Sequence, residues 1–77
     1  MMNNTLTVEL AQTFDHRPLA IVDGLPGDYA ELTPARLRAL AAALERIAAD
    51  AESRPLVRRS GKPMPAEQRV YPLQDNR

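Results

Sequence analysis

The chain opens on a clean alternation. Thr5-Leu6-Thr7-Val8-Glu9-Leu10 places Leu6, Val8 and Leu10 on one face and polar side chains on the other, which is the period of a half-buried strand. Ala11–Pro18 follows, with Asp15-His16-Arg17-Pro18 as turn chemistry. Leu19-Ala20-Ile21-Val22 is then a short apolar run, rich in β-formers and too short for a helix. Strand, turn and strand predict an antiparallel hairpin. Asp23-Gly24-Leu25-Pro26-Gly27-Asp28 reads as a loop, because glycine admits positive φ and proline presets it.

The period then changes. Thr33 is a good N-cap, Pro34 suits the first helical position, and Leu32 with Leu37 has the spacing of a hydrophobic staple. Ala and Leu dominate as far as Ala51, and Pro55 disfavours helix at Arg54, so the helix should end near Ser53. Its length is about 28 Å. Leu37, Leu40, Leu44, Ile47 and Ala51, widened by Ala41 and Ala48, form the expected apolar stripe. The charges sit the wrong way round for the helix dipole, with Arg36 and Arg38 near the start and Asp50 and Glu52 near the end. Two such helices packed antiparallel would turn that arrangement to advantage. A homodimer is therefore expected, with Arg36, Leu37, Arg38, Leu40, Leu44, Ile47 and Asp50 at its interface.

After Ser53 the chain is punctuated by prolines at 55, 63, 65 and 72. Ser60–Pro65 reads as an extended linker, and Gln68-Arg69-Val70-Tyr71 as a last short strand ending at Pro72. The fold class is therefore α+β: a short antiparallel sheet packed by one long helix, in the order ββαβ if the last strand joins. Residues 1–53 form the hairpin-plus-helix core and 54–77 a basic, proline-rich arm. An arm that does not join the sheet would order on binding.

Charge sharpens that division. Residues 1–52 carry eight acids and four arginines, or 4 − 8 = −4. Residues 53–77 carry six bases and two acids, or 6 − 2 = +4, and the total of zero hides both. Arg54, Arg58, Arg59 and Lys62 are the densest positive cluster, suited to gripping carboxylate or phosphate. Tyr71 is a candidate anchor beside them.

The remaining composition narrows the chemistry. There is no cysteine, no run long enough to span a membrane, and no basic-then-apolar leader at Met1–Thr5, so a cytoplasmic protein without membrane contact is expected. Nine of ten bases are arginine and alanine is abundant, a composition associated with GC-rich bacterial or phage genes. Phosphate-binding loops, zinc helices, nucleophile elbows and dinucleotide fingerprints are missing. Gly24-Leu25-Pro26-Gly27 lies between two aspartates, unlike an electropositive nucleic-acid loop. Asp23, Asp28 and Glu31 lack calcium-loop spacing, and His16 is the lone histidine. No enzyme activity, cofactor or metal is expected. The reading is a small non-catalytic protein-binding module, a regulator or inhibitor, whose partner bears an acidic patch. Alternatives are a nucleic-acid or nucleotide-phosphate binder using the same arm, and a structural subunit of a larger assembly.

Overall fold

A computed structural model describes residues 5–73; Asp75 and Arg77, counted in the charge split, lie outside the described residues, as do Met1–Asn4. Three strands and one helix follow in the order β1 (Thr5–Gln12), β2 (Pro18–Asp23), α1 (Pro34–Ser53) and β3 (Glu67–Pro72). The sheet order is β2-β1-β3 and both pairings are antiparallel. The last strand thus joins the sheet, on the edge of β1 away from β2. β2 and β3 run parallel, joined through α1 with β1 between them.

The alternation of β1 does what its period predicts. Leu6, Val8 and Leu10 are fully buried under α1, flanked by Ala20 and Val22 of β2 and by Tyr71 of β3. The opposite sheet face is uncovered and holds the exposed Leu19, Ile21 and Val70. Thr33 caps α1 as expected: its hydroxyl accepts from the Arg36 amide at 3.1 Å, with Pro34 in the first turn. The other end is closed by the Arg54 amide donating to the Asp50 carbonyl at 3.1 Å.

The buried stripe of α1 differs from the expected one. It runs through Arg36, Ala39, Ala43, Ile47 and Ala51, with Leu40 partly buried beside it. Leu37 is 51% exposed and Leu44 39%. The reason is steric. Alanines under the helix let its backbone settle close to the sheet, and the larger leucines are left on the flank. The expected interface therefore divides. Arg36 and Ile47 belong to the interior of one chain, while Leu37, Arg38 and Leu44 face outward.

Asp50 also finds its partners within the chain. It accepts from the Tyr71 hydroxyl at 2.6 Å and pairs with Arg69 at 3.4 Å. Arg69 in turn pairs with Glu67, and Arg46 donates to the Pro72 carbonyl at 3.2 Å. These bonds stitch one flank of α1 to β3. They bring part of the basic segment onto the acidic body, and they answer one of the carboxylates that the helix dipole disfavours.

A candidate binding surface at the hairpin end

The connection between β1 and β2 is a three-residue loop of defined geometry. The Thr13 amide donates to the Arg17 carbonyl at 2.8 Å, and the His16 amide to the Thr13 carbonyl at 3.0 Å. His16 has φ 62°, the left-handed residue that such a loop places after its type I turn. Side chains brace it further. The Thr13 hydroxyl donates to Asp15 at 2.5 Å and accepts from the Arg17 amide at 3.0 Å, and Asp15 pairs with Arg17 at 3.2 Å. The Thr13 bond first, then the Asp15 backbone amide, hold the Asp15 carboxyl below its usual range, with nearby His16 adding to the effect. On this turn stands Phe14, its side chain entirely in solvent.

The segment expected as a linker forms a second loop of the same design. The Arg58 amide donates to the Lys62 carbonyl at 2.8 Å, the Gly61 amide donates to the Arg58 carbonyl at 2.9 Å, and Val57 bridges Pro63. Gly61, at φ 84°, occupies the left-handed position that His16 occupies in the first. Arg58, Arg59 and Lys62 therefore sit together at a hairpin tip. All three are exposed, and none makes an ion pair among the described residues.

The two loops are neighbours. Phe14 and His16 share one shallow, mainly apolar depression with Ala11, Gln12, Pro63 and Met64. Arg54 fixes this arrangement from within. It is 7% exposed, donates to Gln12 at 3.3 Å, and donates to the Pro65 carbonyl. Arg54, expected on the contact surface, is thus a buried tether between the end of β1 and the second loop, enclosed where a partner does not reach it. Tyr71, expected as an anchor, is also enclosed. Burial, and then its bond to Asp50, push its phenol pKa up. Arg58, Arg59 and Lys62 are brought together at the surface, while Arg54 and Tyr71 are not part of it.

The aromatic group on this surface is Phe14, which lies in the Ala11–Pro18 segment and is not among the residues expected at the contact. The signal was present: a large apolar side chain at a predicted turn has no core to enter. A second hollow, of about 380 Å³, lies at the opposite end between the β2–α1 loop and Arg36, Leu40 and Leu73. No protein-family model, curated protein or solved structure matches this chain.

Proposed function

We propose that this protein is a small non-catalytic binding module, a regulator or inhibitor, which grips an acidic patch on a partner protein with its hairpin end. The single observation that carries the reading is Phe14, a fully exposed ring on a braced turn, beside a tip bearing Arg58, Arg59 and Lys62. A rigid, desolvatable apolar group within a cationic rim is the composition of an interface hot spot and its surround. Because the turn is already ordered, docking costs little conformational entropy. The cations steer an acidic partner toward Phe14 and fix its orientation.

The test is affinity capture from an extract of the source organism, with Phe14→Ala and the double variant Arg58→Glu/Arg59→Glu in parallel. A protein held by the natural chain should weaken at least about thirtyfold with either variant, at unchanged circular dichroism. Equal retention by both variants would sink the assignment. The same tip supports a second reading, since unpaired cations beside a free ring also suit a single-stranded nucleic-acid backbone and a stacked base. That reading requires affinity for an oligonucleotide to fall with salt at a log–log slope near −2, from about three phosphate contacts.

A further inference from the structure

We infer that the hollow between the β2–α1 loop and the start of α1 binds one small zwitterion with an apolar side chain, of the class of leucine or phenylalanine. This site lies at the opposite end of the molecule from the hairpin surface and does not depend on it.

The walls come first. Asp23, at the end of β2, pairs with Thr7, and Pro72, at the end of β3, pairs with Thr5. Both strands therefore finish at the start of β1, and the chain that follows each leaves the sheet at the same end. Leu25 of the loop, Leu32 before the helix, Leu40 of α1 and Leu73 after β3 meet there around one hollow of about 380 Å³. That volume lies within the range of about 300–1,000 Å³ usual for small-molecule sites. Leu32, Leu40 and Leu73 are half-buried and make the floor, while Leu25 is exposed and stands at the rim.

The charges come second. Arg36 lines the same hollow and is only 5% exposed, with its backbone pinned by the amide bond to the Thr33 hydroxyl at 3.1 Å. It has an interaction of its own within the chain. A guanidinium carries five donors in a planar fork, so a ligand carboxylate can be held beside that partner. Glu31 also lines the hollow, and it is exposed. The cation is thus deep and the carboxylate is at the mouth.

Charge order selects the occupant. A simple carboxylate suits Arg36 but meets Glu31 as a like charge. A simple amine suits Glu31 but leaves nothing to accept from Arg36. A zwitterion answers both, with its carboxylate inward on Arg36 and its ammonium toward Glu31 at the mouth. An apolar side chain then displaces water from the four leucines, which a polar one cannot do without losing its own hydration. Few polar groups converging in an otherwise apolar hollow is the composition that fixes a small ligand's orientation.

Amide chemical shifts of the isotope-labelled full chain test this, with leucine and phenylalanine as probes. Either should give saturable shifts at Leu25, Leu32, Arg36 and Leu40, with a Kd of about 1 mM or tighter. Two analogues dissect the ligand: isocaproate lacks the ammonium of leucine, and isoamylamine lacks its carboxylate. Each should bind at least about fivefold more weakly than leucine. Glu31→Gln, at an exposed position, should weaken leucine about fivefold and leave isocaproate no weaker. Arg36→Met keeps the stem, removes the charge and should abolish binding of both. If that variant loses its helical circular dichroism, the analogues and Glu31→Gln decide alone. No shift around the hollow at about 20 mM of either amino acid overturns the proposal. So does isocaproate binding as tightly as leucine, or leucine binding that ignores Glu31→Gln. Phe14→Ala should leave the affinity unchanged, so this site and the hairpin end stand or fall separately.

Discussion

Tyr71 illustrates how a single side chain takes its character from its surroundings. Its ring completes the core over Leu6, and its hydroxyl has one carboxylate to bond. Burial is the larger cause of its raised pKa and the Asp50 bond the second. The fold thus keeps this phenol protonated where an unfolded chain would ionise it. Its contribution to stability is complete below pH of about 10 and is lost as pH rises through the raised value. In Tyr29→Phe, where Tyr71 is the one remaining phenol, ultraviolet titration should show ionisation above the ordinary range, coupled to alkaline unfolding. Asp15 obeys the opposite sign. Its lowered pKa means that turn bracing is present above the usual carboxylate range and is lost as pH falls through the lowered value. Its carboxyl resonance should titrate below that range, and Thr13→Ala should move it back up. His16 marks a third residue-level cost. A non-glycine residue at φ 62° carries strain of about 1 kcal/mol. Relief of that strain exceeds the unfolded chain's added freedom of about 0.4–1 kcal/mol only slightly, so His16→Gly should raise the melting temperature by a degree or two, as followed by circular dichroism.

At the scale of elements, α1 depends on its cap and its buried stripe rather than on its leucines. Thr33→Ala should cost about 1 kcal/mol, and Ile47→Ala about 2–4 kcal/mol. Leu37→Ala, on the exposed flank, should cost less than 1 kcal/mol in the monomer. Urea titration of the three variants checks the order, and a Leu37→Ala effect as large as that of Ile47→Ala would refute it. The existence of every element and both ends of α1 were legible in the sequence, because alternation, the Thr33-Pro34 start and the stop before Pro55 are local signals; β1 runs two residues past Leu10, into the stretch expected as a turn, and β2 and β3 are each a residue longer at both ends than expected. The face of α1 was not. A stripe drawn through large side chains follows hydrophobicity, whereas packing against a sheet rewards close approach, so Ala39 and Ala43 went in and Leu37 and Leu44 stayed out. The roles of Arg54 and Tyr71 were also beyond local reading. Their partners Gln12 and Asp50 lie 42 and 21 residues away. The charge cluster at Arg58, Arg59 and Lys62 was visible, but the hairpin that presents it depends on Gly61 and on pairing within a proline-rich stretch.

For the whole molecule, the charge split resolves into two parts. Arg69 returns to the body and meets Asp50, while Arg58, Arg59 and Lys62 project from the hairpin end. With an extent of 47 Å along its longest axis and only 17 Å along its shortest, the molecule is elongated and its core is thin. Among the described residues the largest fully buried side chains, Leu6, Val8 and Leu10, all come from β1, so small losses matter. Truncation after Pro65, which removes β3, should abolish the cooperative thermal transition, as followed by circular dichroism. The central place of β1 has a further meaning in time. Thr5 pairs with Pro72, so the first described strand waits for the last. During synthesis the β1–β2 hairpin and α1 emerge ahead of β3, with the outer edge of β1 still unpaired. The native register closes only once residues 67–72 have emerged, and the largest loop closure falls at the end of folding. Until β3 docks, the half-made sheet offers β1 as well as β2 to any strand nearby.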